Sequence, residues 1–162
     1  VCYARKDFIG LMSWMKLNIR SIRKYYKDWK YNFIMDKETE LNLNKIVDKI
    51  SKNKKVKAIF LFGSQVNGRA REDSDVDIAV LTKEINIDEE WKISGIGNEK
   101  FEIHIFNRLP LVIQFRVIKD GKLLFVKDER YLHDVWRYVV SRYLDFQPFI
   151  DRFYQRVIEN VW

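Results

Sequence analysis

A glycine–serine pair and a short series of acids carry the chemical potential of this chain. In GSQVNGRAREDSDVD, residues 63–77, Gly63-Ser64 follows the apolar run Val56 to Phe62, and Asp75-Val76-Asp77 opens the apolar run Val76 to Leu81. A turn leaving a buried strand exposes backbone N–H groups that can hold a phosphate. Glycine permits close approach there, and Ser64 adds a hydroxyl donor. Side chains alternate along a strand, so Asp75 and Asp77 share a face opposite Val76. Two adjacent carboxylates repel each other and seek a cation, and magnesium, a hard ion with oxygen ligands, suits them. In FEIHIF the same alternation sends Phe101, Ile103 and Ile105 one way and Glu102 and His104 the other. An ionisable group inside an apolar strand needs a partner. If the two strands are neighbours, Glu102 approaches Asp75 and Asp77. Three carboxylates without cysteine or histidine ligands fit a two-magnesium site for phosphoryl or nucleotidyl transfer.

Each feature also has a plainer reading. Glycine after a strand is often only a turn, and an isolated Asp-x-Asp is often a solvated strand start. His104 reads first as a structural histidine and only second as a group that orients Glu102. Arg69 and Arg71 lie between the two motif halves, where they could meet phosphates or stay solvated, and Gly68 permits the turn.

The elements that must position these residues follow from periodicity. Asp36 suits the cap of a helix with an inward stripe of Leu43, Ile46, Val47 and Ile50, ended by the cations of Lys52 to Lys55. The runs from Val56, Val76 and Phe101 are strands, and Gly63-Ser64 starts a turn followed by a short helix. Residues 109–119 read as a helix stopped at Gly121, and Leu123 to Val126 as a fourth strand. Residues 129–161 form one or two helices, with Pro148 as a kink or a fresh start. Most of the stripe Leu132, Val135, Trp136, Val139, Tyr143, Phe146, Phe149, Phe153 and Val157 is expected to cover the sheet, with some aromatics left exposed as a partner surface, and any single residue reads as core before interface. The fold class is α/β (α+β): a small mixed sheet of about four strands flanked by helices, with helices at the C-terminus.

Composition bounds the alternatives. The 162 residues suit one ordinary domain, and 47% hydrophobic with 33% charged residues excludes collagen and disordered chains. Cys2 is the lone cysteine, and no Cys/His spacing suits zinc, so a reducing cytoplasm is the expected compartment. No apolar run is long enough for a membrane span. The net charge of +7 is concentrated in residues 1–34, a basic, aromatic extension ahead of a domain at 35–162. The extension is read as an appended helix or upstream sequence. Because the domain itself is nearly balanced in charge, direct nucleic-acid binding is not expected.

The ten residues between Gly63-Ser64 and Asp75-Val76-Asp77 match the GSx10DxD signature, and the chain resembles the polymerase-beta-like nucleotidyltransferase superfamily. FNRLP, IKDGKLLF and YLDFQPF, over roughly residues 36–150, make it similar to a minimal nucleotidyltransferase (MNT) antitoxin, the partner of a HEPN-domain toxin. The resemblance implies transfer of AMP from ATP, with two Mg2+ ions, to a tyrosine of the HEPN ribonuclease toxin, in a hetero-oligomer with that toxin. It also implies that Gly63 and Ser64 hold the triphosphate, that Asp75 and Asp77 bind metal, and that Glu102 completes the second metal site and helps deprotonate the acceptor. The family usually has aspartate where this chain has Glu102. Two alternatives remain: a binding module that neutralises the toxin by contact alone, and a transferase acting on RNA or a small molecule.

Overall fold

The computed structural model describes residues 36–66, 71 and 74–161. The N-terminal extension, Gly68 and Arg69 lie outside them, as does most of the short helix expected after Ser64. The elements run α1 (Lys37–Ser51), β1 (Val56–Phe62), a 3₁₀ turn (Gly63–Gln65), β2 (Val76–Thr82), α2 (Ile87–Ser94), β3 (Phe101–Ile105), a second 3₁₀ turn (Phe106–Arg108), α3 (Leu111–Asp120), β4 (Lys122–Val126) and α4 (Glu129–Val161). One four-stranded mixed sheet is ordered β3-β2-β1-β4. β1 runs antiparallel to both β2 and β4, and β2 runs parallel to β3. This is the α+β architecture expected from the sequence.

Both faces of the sheet are covered, so its central strands carry unbroken apolar runs. On one face Ala58, Phe60, Ala79 and Leu81 meet Phe115, Ile118, Leu132, Trp136 and Val139 from α3 and α4. On the other, Ile59, Leu61, Val76, Ile78 and Val80 meet Leu43 and Ile50 of α1 and Ile93 of α2. Phe60 is fully buried, which contributes about 2–3 kcal/mol of transfer free energy. α3 ends where Gly121 turns to extended backbone, and the residue is glycine for lack of space, because a Cβ there would collide with the Val117 carbonyl.

The polar links explain FNRLP. Phe106 is buried in the core, and Asn107 Oδ1 accepts from Thr82 N and Oγ1 at 3.1 and 3.2 Å. Arg108 grips the buried Glu90 carboxylate with Nε at 3.0 and 3.2 Å and a terminal nitrogen at 3.0 Å. Pro110 then opens α3. The motif therefore ties β2, α2 and α3 to the end of β3.

Two expectations change. α2 lies within the crossover that the parallel β2–β3 pair requires, yet apolar periodicity does not reveal it, because Ile87 and Trp91 face solvent. Its signal is a capping box, in which Asn86 accepts from Glu89 N at 2.9 Å and the Glu89 carboxylate accepts from Asn86 N at 3.2 Å. α4 is one continuous helix with Pro148 inside it. Leu132, Trp136 and Val139 are core as expected, and Tyr143 stacks on Phe115 with ring centroids 3.7 Å apart. Phe146, Phe149 and Phe153 are the aromatics of the stripe that stay exposed.

Candidate active site

Strand register places three side chains in one row. Asp77 pairs with Phe62 of β1 on one side and with Glu102 of β3 on the other. The row sits where β1 ends and β2 and β3 begin, on the same face as Phe60 and Ala79. His104, two residues beyond Glu102, pairs with Ala79 and so belongs to that face too. Its Nε2 lies 3.7 Å from Asp77 Oδ1 and 3.5 Å from Glu102 Oε1, and its ring meets Phe62 edge-on at 5.7 Å. Donor atoms of Asp77, Glu102 and His104 all fall within 4.8 Å of one another. Asp77 and His104 are partly shielded, whereas the Glu102 side chain is 62% exposed.

The opposing acids affect the imidazole. The side-chain contact with Asp77 holds His104 above its ordinary pKa against the opposing cost of burial, and the charges of Glu102 and Asp77 add to the rise. Two carboxylates and one imidazole, open to water on one side, are a donor set suited to a divalent cation, with waters to complete its coordination.

Gly63 forms the other wall. It has φ +79°, a conformation natural to glycine, and a Cβ there would collide with Asp77 Oδ2. The turn carrying Gly63 and the half-buried Ser64 therefore lies directly against the carboxylate. Gln65 closes the motif from within: its Nε2 donates to the Ser74 carbonyl at 3.3 Å, bringing the two ends of the loop together. A cleft of about 170 Å³ opens beside the turn, lined by Phe62, Gly63, Val66, Ile113, Arg116, Asp120 and Gly121.

The structure thus brings together Gly63, Asp77 and Glu102 as the sequence suggests, and adds His104. Asp75 stands one residue ahead of β2, exposed and outside the group of three. Strand alternation cannot fix a side chain that precedes the ladder. Arg71 is exposed in the loop, its backbone N–H donating to Ser74 Oγ at 2.8 Å. Gln65 and Arg116 had no signal in the sequence, since their roles depend on the loop closure and on how α3 lies beside the turn.

Residues 44–130, just over half of the chain, match the family model for polymerase beta nucleotidyltransferases. The chain belongs to that family. A candidate protein adenylyltransferase of Methanocaldococcus jannaschii, MJ1547, is 35% identical to this nucleotidyltransferase over 71 residues. The aligned segment covers 44% of the chain and 57% of that relative, so the chain spans little more than half of the relative's length. Among solved structures, a chain of a toxin–antitoxin complex with AMP-PNP is 21% identical and superposes with a TM-score of 0.57 over 74% of the nucleotidyltransferase and 98% of itself. A chain of the Shewanella oneidensis complex of tri-AMPylated HEPN toxin with MNT antitoxin is 19% identical, with a TM-score of 0.55 over 76% and 99%. These likenesses establish a shared polymerase-beta-like fold. No helix among the described residues is long and apolar enough to cross a membrane.

Proposed function

We propose that this nucleotidyltransferase is an MNT-type antitoxin that transfers AMP from Mg-ATP to a tyrosine hydroxyl of a cognate HEPN toxin, with which it forms a hetero-oligomer. The carrying observation is the convergence of Asp77 and Glu102, from neighbouring parallel strands, against the Gly63 turn. The family assignment, the adenylyltransferase relative and the fold shared with toxin–antitoxin chains point the same way.

In this reading Gly63 and Ser64 hold the triphosphate with backbone N–H groups and a hydroxyl. Asp75, Asp77 and Glu102 hold the two magnesium ions, and Arg71, with Arg69 from the same loop, offers charge to the phosphates. Bound cations supply charge stabilisation for the α-phosphate and the departing pyrophosphate. Glu102, whose side chain is largely exposed, receives the phenolic proton as the tyrosine oxygen bonds to the α-phosphorus. The bond from that phosphorus to the bridging oxygen breaks, and pyrophosphate leaves with the electron pair.

The test is incubation of the purified chain with α-labelled ATP, magnesium and its HEPN partner, followed by mass spectrometry of the labelled residue. Label on the partner's tyrosine is the expected result. Tight association without label would assign the chain to the contact-only class, and label on RNA alone would assign a different acceptor. Asp77→Asn should abolish transfer while leaving the circular dichroism spectrum intact, because it removes a charged donor with little change of shape. An active or unfolded Asp77→Asn protein contradicts this role.

A further inference from the structure

We propose that His104 is a ligand at the cation site through Nε2, and that it tips the site's preference from magnesium toward a first-row transition dication such as manganese. The inference rests on the reading of Asp77 and Glu102 as cation ligands and concerns which ion they take.

Three observations support it. The same ring nitrogen is the atom nearest to both carboxylates, at 3.7 Å from Asp77 and 3.5 Å from Glu102. These separations are too long for good N–H···O hydrogen bonds, which cluster near about 2.9–3.0 Å. They fall between the roughly 3.0 Å of octahedral neighbours and the roughly 4.2 Å of opposite donors around an ion with ligands at about 2.1 Å, so a small side-chain adjustment brings the three donors around one ion. Position is the second observation. Strand pairing sets His104 beside Ala79, two residues along from the Asp77–Glu102 pair on the same face, and the edge-on Phe62 ring backs it at 5.7 Å.

Donor chemistry is the third. Magnesium prefers oxygen ligands and gains little from imidazole, whereas the first-row transition dications accept nitrogen donors, manganese the most weakly and the later ions more strongly. Glu102 contributes as well. It is one methylene longer than aspartate and largely exposed, so its carboxylate can swing to accommodate an ion larger than magnesium.

The experiment is electron paramagnetic resonance of the full chain loaded with manganese alone, together with calorimetric titration of manganese and of magnesium. Wild-type protein is expected to show nitrogen modulation from a coordinated imidazole in the electron spin-echo signal. His104→Ala should lose that modulation and bind manganese about tenfold or more weakly, with magnesium affinity changed far less. His104→Gln, which keeps much of the shape, should lose the modulation as well. The wild-type spectrum needs no variant to fold, so the test stands even if a substitution destabilises the protein. Binding of both cations without nitrogen modulation overturns the role of His104 alone. Failure of the wild-type protein to bind either cation overturns the cation site of the nucleotide-free chain and the role of His104 with it, whereas nucleotidyl transfer is tested separately by the labelled-ATP assay.

Discussion

At the scale of single residues, Gly63 is the position most tightly determined by its surroundings. Its left-handed φ and the carboxylate of Asp77 against it exclude any side chain for two separate reasons. Gly63→Ala should therefore destabilise the fold by about 1–3 kcal/mol in urea titration. It should also abolish AMP transfer, because the added methyl group must push Asp77 out of the row. An alanine variant with unaltered activity would show that the turn is not the phosphate cradle. Glu102 poses the opposite question, since its carboxylate is poorly confined. Glu102→Asp shortens the reach toward Asp77 by one methylene, and its activity with magnesium should equal or exceed that of wild type in an initial-rate assay. A strong loss would show that the chain is fitted to the longer acid.

Elements matter here because they hold β3 in register. Arg108 joins the turn after β3 to Glu90 of α2, a carboxylate that is only 8% exposed as a residue. Arg108→Ala leaves that acid without its guanidinium partner and should cost about 1–3 kcal/mol in equilibrium unfolding. Glu89 of the same helix bonds Lys55 Nζ at 2.7 Å, and this pairing, with the Asn86 backbone N–H, lowers its pKa from an ordinary 4.5. A depressed carboxylate contributes stability above its unfolded pKa and loses it as pH falls through the folded value. Lys55→Met should thus lower the thermal midpoint at neutral pH, and the gap from wild type should narrow as pH drops below about 4.5. A gap that is constant with pH would assign Lys55 a packing role only. At the C-terminal end of α1, Lys127 Nζ donates to the Ser51 and Asn53 carbonyls at 2.7 and 3.0 Å, a cap drawn from far along the chain.

On the scale of the whole molecule, α4 has a core-packed part and, further along, the exposed rings of Phe146, Phe149 and Phe153. Trp136→Ala empties a core position and should cost about 3–5 kcal/mol, whereas Phe149→Ser, at a residue 61% exposed, should change stability by less than about 0.5 kcal/mol. Thermal unfolding of both variants checks the division. Much of this architecture was legible in the sequence. Strands buried on both faces gave continuous apolar runs, Asp36 announced α1, where it accepts from Thr39 N at 2.8 Å, and alternation in FEIHIF assigned Glu102 and His104 to one face. Identity and spacing within a strand are local properties, so one sequence sufficed for them. The partners across strands are not local. Nothing in a linear chain states that Asp77 stands beside Glu102 in a parallel pair, that Ala79 pairs with His104, or that Asp75 lies just outside the ladder. Those relations arise from hydrogen-bond register between segments far apart along the chain, and only the assembled sheet decides them.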